Sequence, residues 1–156
     1  MEIERKFLLK NDDWRRHIIS SIEIKQGYIS DIPERTVRVR VTQNKAWLTL
    51  KGTTKGIKRE EFEFEICKAD AEKMLVVFCD NNKIIKTRHI VKHQNRTWEI
   101  DEFEGKLKGL IIAETELESE NEVIELPEWL GKEVSYDSRY FNSNLIKETF
   151  TDEGFS

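Results

Sequence analysis

The sequence predicts an α+β protein built on an antiparallel sheet. Apolar and polar side chains alternate through eight short stretches, polar turns of hairpin length separate several of them, and helical spacing appears in only three places. At 156 residues the chain has the size of a single domain, 1–156, and is long enough to bury a core.

The first strand spans residues 2–9, where Glu2, Glu4 and Lys6 share one face and Ile3, Arg5 and Phe7 the other. Asp12 to Ile19 reads as a short helix capped by Asp12 or Asp13. Strands follow at 22–30, 35–42 and 46–51, the last two joined across Gln43-Asn44, and a further strand at 59–66 follows Lys55-Gly56. Ala69 to Cys79 places Met74, Leu75 and Phe78 at helical spacing, a core-facing stripe. Strands at 84–92 and 96–103 flank the turn His93-Gln94-Asn95, and an eighth runs over 109–118. Ser119 and Glu122 have capping-box spacing, but Pro127 limits any helix there. Ser135 to Phe150 reads as a C-terminal helix presenting Tyr140, Leu145 and Ile146. Eight antiparallel strands are enough to close into a barrel.

The charges are sorted by strand. Arg38 and Arg40 oppose Val37, Val39 and Val41; Glu61, Glu63 and Glu65 oppose Phe62, Phe64 and Ile66; Glu114 and Glu116 oppose Ala113, Thr115 and Leu117. Lys86 and Arg88 share a face, as do Glu99 and Asp101, and Lys51 ends the strand at 46–51. A solvated sheet gains from mixing signs, because like charges directly opposite cost stability and opposite charges gain about 0.2–1 kcal/mol. Whole strands of one sign therefore point to a site with an acidic wall and a basic wall. A crowded acidic wall stays ionised only with help, and hard cations such as Mg²⁺ or Mn²⁺ prefer carboxylate oxygen. The basic wall calls for an anion with many oxygens, and a phosphate chain suits arginine and lysine best.

Charged residues are 36% of the chain, yet the net charge is −4, so both signs are abundant. The acidic balance argues against nucleic acid as a partner. Cys67 and Cys79 have no spacing that suggests a disulfide framework or zinc site. With no apolar signal segment and no window of membrane-span length, a cytoplasmic protein is expected. His89 and His93 have zinc-like spacing only on a helix, whereas they fall in a strand and turn; His17 is an ordinary helix residue. The four tryptophans are read as packing residues rather than a base-stacking platform. Tyr28 is open to either a lining or a packing role.

Taken in order, the residues resemble the CYTH domain, or triphosphate tunnel metalloenzyme, family in its short bacterial form. The resemblance rests on Glu2-x-Glu4-x-Lys6, Gln26-Gly27-Tyr28, Arg38-Val39-Arg40, Thr49-Leu50-Lys51 and Arg59-Glu60-Glu61-Phe62-Glu63. It continues through Lys86-Thr87-Arg88, Glu99-Ile100-Asp101, Glu114-Thr115-Glu116 and the closing Glu133-Val134-Ser135, Asp137, Arg139-Tyr140 and Asn142. It implies a closed eight-stranded antiparallel barrel, a triphosphate tunnel, with a few helices outside. The metal set it implies is Glu2, Glu4, Glu61, Glu63, Glu114 and Glu116, with Mg²⁺ or Mn²⁺ as cofactor. The substrate-binding set is Lys6, Arg38, Arg40, Lys51, Lys86, Arg88 and Arg139, and Glu2, Glu4, Lys6 and Lys51 are the catalytic group; Asp101 also matches the pattern.

The implied activity is a metal-dependent triphosphatase in which water attacks the terminal phosphorus of inorganic tripolyphosphate or a nucleoside triphosphate. The enzymatic alternatives are a class IV-like adenylate cyclase and a thiamine triphosphatase; the alternative of another class is a polyphosphate- or nucleotide-binding module without chemistry. A degenerate module is expected to have lost part of its acidic set, and here that set is intact. The partner is a small triphosphate, with no membrane; the oligomeric state is left open, a homodimer included.

Overall fold

A computed structural model describes residues 1–151 and 154–155. The strands of the main sheet are β1 (Glu2–Leu9), β2 (Ile18–Ser30), β3 (Thr36–Val41), β4 (Ala46–Lys51), β5 (Lys58–Arg59), β6 (Glu61–Ile66), β7 (Lys83–His93), β8 (Arg96–Phe103), β9 (Ile111–Glu116) and β10 (Leu130–Glu133). Nine of them lie side by side in the order β10-β1-β9-β8-β7-β2-β3-β4-β6, and β5 joins β1 separately. Every ladder is antiparallel. The closed eight-stranded barrel expected from the sequence is thus corrected to a nine-stranded sheet curled almost into a barrel, with an unpaired seam beside β6 among the described residues.

At the seam β6 and β1 do not pair directly among the described residues. The gap is bridged by the segment after β4 instead: the Gly52 N–H donates to the Glu60 carbonyl at 3.1 Å, and Lys58 and Arg59 pair with Ile3 and Glu2. The ninth strand, β10, pairs with the far half of β1 at Phe7 and Leu9.

The helical expectations fare unevenly. The segment Lys68–Phe78 is helix α1, close to its expected bounds, but its core face is Ala71 and Leu75, while Phe78 is 58% exposed. The helix expected from Asp12 is a 3-10 turn, Asp13–His17, because the β-branched pair Ile18-Ile19 already belongs to β2. The expected C-terminal helix is broken into a 3-10 turn at Ser138–Tyr140 and the single turn α2 (Asn142–Leu145), with Phe141 extended between them. Asp137 accepts from the Arg139 N–H and Asn144 Nδ2 donates to the Ser138 carbonyl, side-chain bonds that compete with a continuous helix. Leu145 and Ile146 are buried as expected.

The apolar layers lie largely outside the curled sheet. Phe7, Trp98, Ile100 and Ala113, from outward-facing positions, pack with Trp14 and Trp129, while Val39, Val41 and Ala46 pack under α1. The inward face changes character along its strands. Further along the faces that carry Arg88, Asp101 and Glu114 on β7, β8 and β9 come Ile84, Phe103 and Ile112, which pack with Leu107, Leu110, Leu145 and Ile146. One end of the interior is therefore filled with apolar groups, and the charged remainder stays open. No helix among the described residues is long and apolar enough to cross a membrane.

The end of helix α1 packs tightly over Gly27 of β2, where an added Cβ would lie 2.6 Å from Cys79 Cβ and 2.9 Å from Leu75 Cδ2. Gly27→Ala is expected to destabilise the protein by about 1–3 kcal/mol through overpacking. Thermal or urea melts measure this directly, and an unchanged midpoint would show that the helix has room to move.

Candidate active site

The open interior is a cavity of about 320 Å³ whose lining is predominantly charged. β-alternation puts the charges there: Glu2, Glu4 and Lys6 recur every second residue on β1, as do Arg38 and Arg40 on β3, Glu61 and Glu63 on β6, Lys86 and Arg88 on β7, and Glu114 and Glu116 on β9. Lys51 enters from the end of β4.

On the acidic side, Lys6 is the hub. Its ammonium donates to Glu114 Oε1 at 2.6 Å and lies 3.1 Å from Glu4 Oε1. Burial opposes its charge, but Glu114 and Glu4 together raise its pKa well above the ordinary lysine value. Burial likewise works against Glu114, yet the Lys6 ammonium holds it down at about 2. Glu4 is not so well compensated: burial, and then the Glu114 charge, raise its pKa despite Lys6. Burial raises Glu2 as well, although Lys51 Nζ lies 3.2 Å from both of its oxygens. Glu63 accepts from Thr49 Oγ1 at 3.0 Å and lies 3.5 Å from an Arg38 nitrogen, while Glu61 and Glu116 form no ion pair among the described residues.

The basic side is unevenly compensated: Lys51, Lys86 and Arg88 have carboxylate partners, whereas Arg40 has none among the described residues. Arg38 is buried, and its Nε has no hydrogen-bond partner. Arg40 Nε donates to the neutral Gln26 Oε1 at 2.8 Å; burial and then the neighbouring Arg38 and Arg88 depress its pKa. Buried cations with donors unspent are what a polyanion would satisfy.

The structure gathers twelve of the thirteen residues singled out from the sequence around this cavity: Glu2, Glu4, Lys6, Arg38, Arg40, Lys51, Glu61, Glu63, Lys86, Arg88, Glu114 and Glu116. Arg139 is not among them; its guanidinium is largely exposed and paired with Asp137 at 2.6 Å. Further lining residues escaped the sequence reading. Glu99 was visible through its shared face with Asp101, and Arg59 through its place beside Glu61. Thr36 shares the strand parity of Arg38 and Arg40, and Ser135 and Asn142 stood among the residues of the resemblance, but none of the three had been assigned to the site; Asn142 comes from the broken C-terminal helix and accepts from Lys86 Nζ at 2.9 Å and Gln26 Nε2 at 3.2 Å.

The donor set fits a hard divalent cation of a particular kind. Among the described residues no three His, Cys, Asp or Glu side chains are gathered closely enough to hold a metal unaided. Mg²⁺ characteristically takes one or two carboxylates and completes its shell with water and substrate phosphate. An oxygen-only wall facing a cationic wall suits that mode.

A family model, the CYTH domain, matches residues 1–150. The chain belongs to the CYTH family. It is 43% identical over 149 residues to an inorganic triphosphatase of Acetivibrio thermocellus, covering 96% of this chain and 95% of that one. An inorganic triphosphatase of Nitrosomonas europaea is 33% identical over 150 residues, covering 92% of this chain and 95% of that one. Among solved structures, the crystal structure of the inorganic triphosphatase NE1496 superposes with a TM-score of 0.68 at 31% identity, covering 93% of this chain and 97% of the other.

Proposed function

We propose that this CYTH protein is a divalent-metal-dependent inorganic triphosphatase. The observation that supports it most is that one cavity of about 320 Å³ has carboxylates on one side and arginines and lysines on the other, among them Arg40, whose Nε–H is met only by a neutral amide. That arrangement would suit a metal on the carboxylate side and a phosphate chain on the cationic side. Family membership implies metal dependence, and the near-full-length triphosphatase relatives favour this substrate class.

In this reading Arg38, Arg40, Lys51, Lys86 and Arg88 take the phosphate oxygens and neutralise the charge that spreads over them as the terminal P–O bond breaks. The Arg38 Nε–H, unspent in the protein, is a ready donor. Glu2, Glu4, Glu61, Glu63, Glu114 and Glu116 would hold Mg²⁺ or Mn²⁺, which when bound supplies Lewis-acid polarisation of phosphate oxygen and activation of water. The Lys6 ammonium bridges Glu4 and Glu114 and offsets the repulsion between them. The Ile57 and Phe141 flanks narrow the cavity and help to exclude bulk water.

The test is product analysis with tripolyphosphate, ATP and thiamine triphosphate, each with and without Mg²⁺ or Mn²⁺. We expect orthophosphate plus pyrophosphate from tripolyphosphate only when metal is present, with kcat/KM above that for ATP. Tenfold preference requires only about 1.4 kcal/mol of transition-state discrimination, so the comparison is sensitive to any nucleoside contact. Cyclic AMP from ATP with little tripolyphosphate cleavage would reverse the assignment to a cyclase. Tight binding of all three without turnover would make the protein a binding module.

A further inference from the structure

Asp101 lies at the centre of β8 and is 1% exposed. Register places it directly across from Arg88 on β7, and diagonally from Lys86, whose direct partner is Phe103. Arg88 donates Nε–H to Asp101 Oδ1 at 2.8 Å and Nη2–H to Oδ2 at 2.9 Å, a two-point grip that fixes the guanidinium plane. Lys86 Nζ is 2.7 Å from the same Oδ2. Arg88 and Lys86 line the cavity; Asp101 does not.

We propose that Asp101 is a positioning residue for the phosphate-binding wall: one buried carboxylate orients both Lys86 and Arg88, leaving their remaining N–H donors for substrate. This rests on the triphosphatase reading of the same cavity. A donor count supports it. A guanidinium has five N–H groups and an ammonium three. Arg88 spends two on Asp101 and one, from Nη1, on Glu99 at 2.9 Å, which leaves two. Lys86 spends one on Asp101 and one on Asn142 Oδ1, which leaves one. The remaining donors are held in place because the others are tied down from behind.

The charge of Lys86 depends on the same contact. Asp101 is the only carboxylate within ion-pair distance of Lys86 among the described residues. Burial, Arg88 on its own strand and Arg40 from β3 all disfavour its ammonium; Asp101 from β8 and Glu114 from β9 favour it, and Asn142 accepts a hydrogen bond from it. The balance already puts its pKa at about 7. Asp101 itself is held far below the ordinary carboxylate value: burial opposes its charge, but two cations in contact outweigh it. It is therefore anionic throughout the working pH range.

The deciding experiment compares wild type, Asp101→Asn and Asp101→Glu. The readouts are tripolyphosphate turnover with Mg²⁺ from about pH 5.5 to 8.5 and calorimetric binding of tripolyphosphate. Asp101→Asn removes the charge. Its KM and its dissociation constant are expected to rise about tenfold or more at pH 8, with the alkaline fall of kcat/KM displaced to lower pH because Lys86 loses its proton sooner. Asp101→Glu keeps the charge but adds a methylene and spoils the two-point grip. It is expected to raise KM more than it lowers kcat, with the pH profile of wild type. Should Asp101→Asn fail to fold, the charge-conserving variant decides alone. Wild-type KM and binding in Asp101→Glu, or in Asp101→Asn a uniform loss at every pH, would overturn the proposal. Failure of wild type itself to bind or cleave tripolyphosphate would instead overturn the functional reading, and the proposal with it.

Discussion

Glu4→Gln is expected to lower metal-dependent kcat/KM on tripolyphosphate by about 100-fold or more, the scale on which removing one preorganised electrostatic group typically acts. The same change should leave the metal-free protein as stable as wild type or more so at neutral pH. Burial, and after it the charge of Glu114, raise the pKa of Glu4 above its ordinary value. A carboxyl with a raised folded-state pKa contributes stability below its unfolded pKa and loses that contribution as pH rises through the folded value. At pH 7 the ionised Glu4 is thus a net cost to the empty protein, and glutamine removes it at nearly constant shape. Melts in chelator at pH 7 and pH 4 give the sign: the gain of the variant over wild type should be larger at pH 7. Near-normal turnover of the variant at low millimolar Mg²⁺ would remove Glu4 from the metal set.

Much of this site was legible because a β-strand writes its two faces into alternate residues. Glu2-Ile3-Glu4-Arg5-Lys6 can be sorted by eye, and five separate strands sorted that way converge on one cavity. Strand parity also explains Glu99, which shares the face of Asp101. What sequence reasoning missed came from pairings over long chain separations. β10 is four residues long, Leu130–Glu133, and lacks a pattern of its own; it exists because Phe7 and Leu9 pair with it more than a hundred residues away. Asn142 reaches Lys86 only because the C-terminal helix breaks at Phe141, and that break depends on side-chain bonds from Asp137 and Asn144. The seam beside β6 was hidden for a similar reason: counting strands shows that a barrel is possible, but not that the edge of β1 beyond Glu4 pairs with the short β5 rather than with β6.

The opposite wall allows the complementary experiment. Arg40→Met is expected to raise KM for tripolyphosphate by about 10- to 100-fold, since a hydrogen bond to a charged group contributes about 1.5–3 kcal/mol and 1.4 kcal/mol is a factor of ten. Its effect on the empty protein should have the opposite sign. Burial first, then Arg38 and Arg88, depress the Arg40 pKa. A base with a lowered folded-state pKa contributes stability above its unfolded pKa and loses it as pH falls through the folded value, so at pH 7 the charged group works against folding. Methionine keeps much of the apolar stem and discards the charge. What it gives up is the bond from Nε to Gln26 Oε1. The melting temperature without substrate should therefore hold or rise, while the rise in melting temperature produced by adding tripolyphosphate should shrink, because ligand stabilisation follows affinity. If Arg40→Met instead destabilises the empty protein and leaves KM alone, Arg40 is a structural partner of Gln26 and the phosphate chain lies elsewhere along the wall. Paired with Glu4→Gln, the experiment asks whether both walls are held in a strained, charged state that only the metal–triphosphate complex relieves. Stabilisation of the empty protein by each variant, together with loss of ligand-dependent function in each, is the signature of a cavity built for its ligands at the expense of its own fold.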